Sequence, residues 1–346
     1  MESLIIRVDA STQTGAGHLM RSLALAQAWR DIGGKVISVT FCQSEGLLQR
    51  FREAGCEIHR LRHQYPDPND WDQAKGILAA YPSGWVVLDG YHFDELYQQR
   101  VKEAGHRLLV IDDMAHLKHY YADILLNQNL HAEQLHYSCE PYTRLLLGTR
   151  YVLLRREFLA WRGLRREIPE IARRVLVTLG GGDSENYTLK VIHALQRSDV
   201  PGLEAIVVIG ASNPHGDSIK AAVRQSRIPI CLVHNAHNMP KLMDWADVAI
   251  IAAGGTLFEL LFMGSAIVSY VRNHIQDVVV SELERRTIVK HLGYLRLMDQ
   301  RILASSLQEL ALAETRREHM KTSGRKIVDG NGAKRLLKSL LEGCDS

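Results

Sequence analysis

The sequence predicts an α/β protein made of two Rossmann-like domains, each a doubly wound parallel sheet. Three observations carry this. Short apolar, strand-like runs alternate with helical patterns along the chain, as in parallel sheets covered on both faces. The alternation restarts after a charged stretch near residues 155–174. In each half, a glycine-containing turn follows a strand and opens a helix. The 346 residues suffice for two cores of ordinary domain size. The expected organisation is an N-terminal domain over 1–154, a linker over 155–174 and a C-terminal domain over 175–346, whose last helix could pack back on the first domain.

Taken in order, Leu4 to Val8 is a compact β-like run, followed by a small polar loop ending in Gly15-Ala16-Gly17-His18. Leu19, Leu23, Ala26 and Ile32 then have the spacing of a helix's buried stripe. A strand over Val36–Phe41, a helix near Leu47–Ala54, a strand at Val86–Asp89, a helix to about Gly105 and a strand at Leu108–Asp112 complete the first half. A charged helical stretch, Arg155 to Arg174, forms the boundary. In the second half, Val175–Leu179, Ala205–Ile209, Ile230–Val233, Val248–Ala252 and Ala266–Val271 read as strands with helices between them. Val248 to Val271 is nearly uncharged, but Gly254-Gly255-Thr256 splits it, so it reads as strand, turn, helix, strand rather than membrane span.

Composition narrows the function. Lys and Arg number 42 against 39 Asp and Glu, a formal charge of +3, and the basic residues are spread rather than blocked, which disfavours nucleic acid as a partner. Five cysteines without a CxxC pair fit a reducing cytosol. The N-terminus reaches a charge after three apolar residues and does not read as a secretory signal. The expected setting is cytoplasmic, without membrane insertion.

Three turns follow strands and open helices: Thr14-Gly15-Ala16-Gly17-His18, Gly180-Gly181-Gly182-Asp183 and Gly254-Gly255-Thr256. Backbone N–H groups at a helix start attract phosphate oxygens, and glycine lets a ligand approach closely. Two such turns in one domain suggest a nucleotide diphosphate. None is a full GxGxxG or Walker loop, so nicotinamide or ATP-type binding has no motif of its own. Thr256 and Glu259 have the spacing of a capping box, but Glu259 is equally placed to bind ribose hydroxyls. His18, at the positive end of a helix dipole and the carboxyl end of the first strand, suits a general base; the plainer reading is a histidine that only bonds its loop. Asp70-Trp71-Asp72 has a D-x-D spacing but reads as a solvated, proline-rich turn. Asp112-Asp113 could be catalytic or cap a turn. The pairs His116/His119 and His234/His237 lack a third metal ligand nearby, and no G-x-S-x-G or HExxH occurs.

The segments "RVDASTQTGAGHLMRSLALA", "LDGYHFDE", "LLVIDDMAHLKHYYADILLNQN", "LLLGTRYVLLRREF", "LGGGDSENYTL", "AAGGTLFELLFMG" and "VDGNGAKR" together resemble, in order, the nucleotide-sugar hydrolases of pseudaminic acid biosynthesis. These act on UDP-2,4-diacetamido-2,4,6-trideoxy-β-L-altropyranose and are relatives of the MurG-like glycosyltransferases. The resemblance covers nearly the whole chain. It implies a GT-B-type architecture, with UDP held mainly by the C-terminal domain and the sugar reaching across a cleft toward the N-terminal one. It places the catalytic histidine on His18, activating water for attack at the anomeric carbon with inversion, and the sugar-facing Tyr91 and Asn273. It implies substrate contacts at Gly17, at Gly180, Gly181, Asp183 and Asn186, and at Met239 beside the uracil. It adds Gly254, Gly255 and Thr256 as a second phosphate turn and Glu259 as the ribose carboxylate. Arg21, one helical turn from His18, would contact ligand or pair with a neighbour such as Asp9. His274 stands where the family usually has glutamine, and Phe258 where tryptophan is common. The implied substrate is a UDP-sugar, with neither metal nor other cofactor. The alternatives are a GT-B glycosyltransferase with a UDP-sugar donor and a non-enzymatic sugar-nucleotide sensor.

Overall fold

The structure is a computed structural model that describes residues 2–10, 17–82, 84–164, 166–210 and 213–342. Thr14, Gly15 and Ala16 of the first glycine turn lie outside these residues, as does Cys344. The chain divides into two compact units, Met1–Arg156 with Gly330–Ser346 and Glu157–Asp329.

The first unit alternates strands and helices: β1 (Ser3–Val8), α1 (Gly17–Asp31), β2 (Lys35–Thr40), α2 (Glu45–Glu53), β3 (Glu57–Arg60), α3 (Pro68–Ala79), β4 (Trp85–Asp89), α4 (Glu95–Glu103), β5 (Arg107–Ile111), β6 (Ile124–Asn127) and β7 (Arg144–Leu147). Its seven strands are all parallel, in the order β3-β2-β1-β4-β5-β6-β7. Because side chains alternate along a strand, Leu4, Ile6 and Val8 join the core under α1 while Ile5 joins the opposite core with Tyr97 and Val101. A sheet buried on both faces explains why its central strands read as unbroken apolar runs. On α1, Leu19, Leu23 and Ala26 are buried, but Ile32 lies past the helix end and is exposed.

The stretch expected to be a helical linker is different. Among its described residues only α5 (Arg156–Leu159) is helical, and the chain that follows is tied into the second unit. Arg166, buried, donates to the Met243 carbonyl at 3.0 Å and Ser265 Oγ at 3.1 Å. Arg317, fully buried, donates to the carbonyls of Pro169 and Glu170. Within the stretch expected to be a charged helix, Arg166 is instead a buried anchor in irregular chain, and Arg317 fixes the same segment from a later helix of that unit.

The second unit contains β8 (Arg174–Thr178), α6 (Tyr187–Leu195), β9 (Glu204–Ile209), α7 (Gly216–Arg224), β10 (Ile230–His234), α8 (Met239–Trp245), β11 (Val248–Ala252), α9 (Gly255–Met263), β12 (Ala266–Val271), α10 (His274–Arg285), β13 (Lys290–Tyr294), α11 (Gln300–Leu312) and α12 (Glu314–Ile327). Its six parallel strands run β10-β9-β8-β11-β12-β13, the doubly wound order. The segment that could imitate a membrane span is strand, helix, strand. No helix among the described residues is long and apolar enough to cross a membrane.

The last helix, α13 (Gly332–Glu342), belongs to the first unit, where Ala333, Leu336, Leu337 and Leu340 join the core beneath α1. Gly332 is required by this seat, because a Cβ there would lie 2.2 Å from the Val152 carbonyl oxygen.

Candidate active site

In the first sheet, strand order reverses between β1 and β4, and the carboxyl ends of these parallel strands border the crevice where doubly wound sheets hold ligands. Acidic residues end or follow three strands there: Asp9 after β1, Asp89 in β4, and Asp112 and Asp113 after β5. All four are buried. A buried carboxylate needs partners, and each finds them in a histidine, an arginine or the hydroxyl or amide groups nearby.

His18 is the second residue of α1, and its Nδ1 lies 2.6 Å from Asp89 Oδ1. Arg21, one turn further, donates to the same carboxylate from Nε at 2.8 Å and Nη2 at 2.7 Å, and Ser22 Oγ donates at 3.0 Å. Burial alone would raise the Asp89 carboxyl, but the charge of Arg21 and the bond from His18 hold it far below the ordinary carboxylate range. Asp89 is therefore an acceptor only, and the ring proton between the two sits on Nδ1. That leaves Nε2 as the basic nitrogen, with no hydrogen bond to a described residue. Tyr91 stands edge-on to the ring at a centroid distance of 4.8 Å.

Arg21 does not pair with Asp9. Its Nη1 forks onto Asp113 at 2.8 and 2.9 Å, so its donors are divided between two buried carboxylates. The guanidinium is thereby committed to holding the site together rather than left to bind ligand. Asp113 also accepts from the Tyr91 hydroxyl at 2.7 Å and Asn129 Nδ2 at 2.7 Å. Burial and the neighbouring Asp113 charge keep the Tyr91 hydroxyl well above its usual pKa, so it stays protonated and its proton faces Asp113. Asp112 instead caps a turn, accepting from the amides of Met114 at 2.8 Å and Ala115 at 2.6 Å. Asp112 and Asp113, left open on sequence, thus have separate roles.

Asp9 pairs with Arg7 and accepts from His92 Nε2, 2.8 Å away, and from the Phe41 amide at 2.6 Å. Arg7 also pairs with Asp70. The D-x-D segment is accordingly not a solvated turn: Asp70 is wholly buried in the first turn of α3, and only Asp72 is exposed. Among the described residues no group of three or more His, Cys, Asp or Glu side chains is placed to hold a metal ion.

In the second unit the turns after β8, β11 and β12 lie at one sheet edge, since these strands are neighbours. Gly180 takes a φ of +93°. Gly181 follows it, and Arg272 donates to the Leu179 carbonyl beside them. Asp183 is 3% exposed, and its carboxylate is occupied by the Tyr187 amide at 2.9 Å, the Thr188 amide at 2.8 Å and Thr188 Oγ1. It shapes the loop rather than offering itself to a ligand. Asn186, left-handed at φ 55°, donates to Ser218 Oγ at 3.1 Å. Met239 opens α8 behind the cap Asn238. Asn273 caps α10, its Oδ1 accepting the Gln276 amide at 3.0 Å, and His274 is exposed beside it.

The capping-box reading of Thr256 and Glu259 fails. Helix α9 begins at Gly255 with Gly254 as its cap residue, so Thr256 is already inside the first turn. Its cap residue, a glycine, has no side chain with which to bond the helix amides. Gly254 and Gly255 are exposed, and a Cβ on either would meet nothing within 4 Å. Exposed amides at such a start form an anion-binding surface. Gly17, at the start of α1, is likewise exposed. The residues that sequence reasoning missed are Asp89, Ser22, Asn129 and His92. For Asp89 the signal was an aspartate closing an apolar run, three times over, at Val8-Asp9, Leu88-Asp89 and Ile111-Asp112.

No protein-family model matches the chain. It is 26% identical over 78% of its length to a UDP-2,4-diacetamido-2,4,6-trideoxy-β-L-altropyranose hydrolase of Campylobacter jejuni, covering 92% of that protein. It is 22% identical over 96% of its length to the spore coat polysaccharide biosynthesis protein SpsG of Bacillus subtilis, covering 95% of it. An uncharacterised protein of Methanocaldococcus jannaschii is 26% identical over 85% of the chain, which spans 60% of that protein's length. Among solved structures, MurG of Acinetobacter baumannii superposes with a TM-score of 0.66 at 13% identity, over 98% of this chain and 99% of that one. The UDP complex of MnaA from S. aureus gives 0.68 at 12% identity, over 100% and 97%. The chain is thus similar over most of its length to a diacetamido-trideoxy-altropyranose hydrolase, and it has the two-domain α/β fold of the MurG-like structures.

Proposed function

We propose that the protein hydrolyses a UDP-linked diacetamido-trideoxy sugar, of the class its Campylobacter relative is named for, at the anomeric C1–O bond. The observation that carries this reading is the His18–Asp89 pair, with Nδ1 committed to a buried carboxylate and Nε2 bonded to none of the described residues. In the proposed step Nε2 removes a proton from water as the water oxygen bonds to C1. The bond from C1 to the phosphate oxygen breaks, UDP leaves with the electron pair, and the sugar is released with inverted configuration. His18 becomes an imidazolium beside Asp89, which offsets the new charge. The second unit is assigned UDP: the turn at Gly180-Gly181 and the glycine start of α9 at Gly254-Thr256 would bind the diphosphate through amides, Glu259 the ribose and Met239 the uracil. These amides stabilise the charge that develops on the leaving group. Tyr91 and Asn273 would contact the sugar. No step of this scheme uses a metal or other cofactor.

The test is NMR product analysis with the UDP-sugar, chelator and no acceptor. UDP and a free sugar of inverted anomeric configuration are expected. UDP release that depends on an added acceptor would instead mark a glycosyltransferase, and tight UDP binding without turnover a sensor.

A further inference from the structure

The sequence marked His116 as half of a weak metal pair, and the proposed reaction does not use it. Its contacts differ from those of His18. Nδ1 lies 2.9 Å from Asp112 Oδ2, and Nε2 lies 3.2 Å from the backbone carbonyl oxygen of Tyr91. Both partners are acceptors. The carbonyl has no proton to give, and against the effect of burial the bond from His116 itself, with the Ala115 and Met114 amides, holds the Asp112 carboxyl below its ordinary value, while the Tyr120 hydroxyl also donates to it at 3.0 Å. A neutral imidazole donates one hydrogen bond, and two acceptors require two.

From this geometry we propose that His116 is a positioning residue, an imidazolium that clamps the Tyr91 backbone and releases it when deprotonated. Tyr91 is then held from two sides by one dipeptide: Asp113 takes its hydroxyl directly, and Asp112 holds its carbonyl through His116. The inference rests on the proposed hydrolase only for its activity readout. The groups facing His116 agree with a cation. Asp112 approaches from the end of β5 and Glu95 from the start of α4, while the Tyr91 ring stands edge-on at 6.0 Å and Tyr120 bonds Asp112. Lys118, on its own segment, is exposed. The bond to Asp112 raises the imidazole above its ordinary value. The clamp is closed below that raised value and opens as pH rises through it.

Tyr91-His92 is the only Tyr-His dipeptide in the sequence, so carbonyl-labelled tyrosine with nitrogen-labelled histidine reports a single peptide bond by NMR. The expected result is a His116 ring protonated on both nitrogens below a midpoint that lies above about 6.5, and a Tyr91-His92 signal that titrates with the same midpoint. The His116→Gln variant should lose that titration. If the protein turns over its sugar nucleotide, kcat/KM should fall above this midpoint in the wild type. The Gln variant should start about tenfold lower, the scale of one lost charged hydrogen bond, and lack the alkaline fall. His116→Arg, a permanent cation, should also lack the fall and keep most of the activity. A midpoint at or below about 6.5, a peptide signal that ignores the histidine, or a Gln variant with the wild-type profile overturns the clamp. Absence of turnover with every UDP-sugar defeats the hydrolase reading instead, and the NMR measurements on the wild type still decide the clamp.

Discussion

At the carboxyl edge of the first sheet the polar groups are side chains, whereas at that of the second they are largely backbone amides. The first edge gathers Asp9, Asp89, Asp112 and Asp113 with three histidines and two arginines. The second presents glycine turns and a helix start whose cap residue is glycine. The strand order is the same through the first six strands of each, so topology does not account for the difference. What differs is the kind of work each edge can perform. Titratable side chains can move a proton, and amides at a fixed helix end can only hold a charge.

The largest way to break this comparison is at the proton-moving edge. His18→Ala should lower UDP release by about 10² to 10⁴, and Asp89→Asn by a similar factor because the ring tautomer reverses, while calorimetric UDP affinity stays near wild type. A loss of affinity equal to the loss of rate would place His18 in ligand binding instead. Next comes Arg21→Met, which leaves Asp89 and Asp113 buried without their cation. It should cost about 3–5 kcal/mol of stability, read from denaturant unfolding of the first unit. Gly254→Ala has the opposite profile. Its Cβ meets no protein atom, so stability should stay within about 0.5 kcal/mol, yet UDP should bind about tenfold more weakly, the scale of one disturbed amide contact. The smallest effect is from Thr256→Ala, which is not a cap and should change Tm by only about a degree.

Acid sharpens the contrast. Asp89 is depressed in the folded protein, so its stabilisation is complete above the ordinary aspartate value, about 3.9, and fades as pH falls toward the lowered value. Asp89→Asn should therefore flatten the acid limb of a stability profile; an unchanged limb would assign that limb to other carboxylates.

How far the molecule was legible depended on burial. The central strands β1, β4, β5, β8 and β11 announce themselves because both faces are covered. The overlooked strands β3, β7 and β13 are sheet edges, half solvated and correspondingly polar, as in Glu57-Ile58-His59-Arg60. The fourth, β6, is only Ile124–Asn127 and too short to show a period. His18 was visible because it follows Gly-x-Gly before a helix. Its partner Asp89 lies 71 residues away in sequence, and no local pattern reports a pairing at that separation. Asp70 misled for the opposite reason: proline and acidic neighbours look solvated, yet a single buried guanidinium at Arg7 reverses that reading.

The return of α13 to the first unit sets an order of events during synthesis. The amino-terminal half leaves the ribosome early, but the floor beneath α1 is supplied by residues 332–342, which emerge only after the second unit. That half must wait, with an apolar surface uncovered, while the whole of the second unit is made and folds. A chain halted after Asp329 should leave the glycine-edged unit cooperative and the histidine-edged one prone to aggregate, which proteolysis of the stalled product would show.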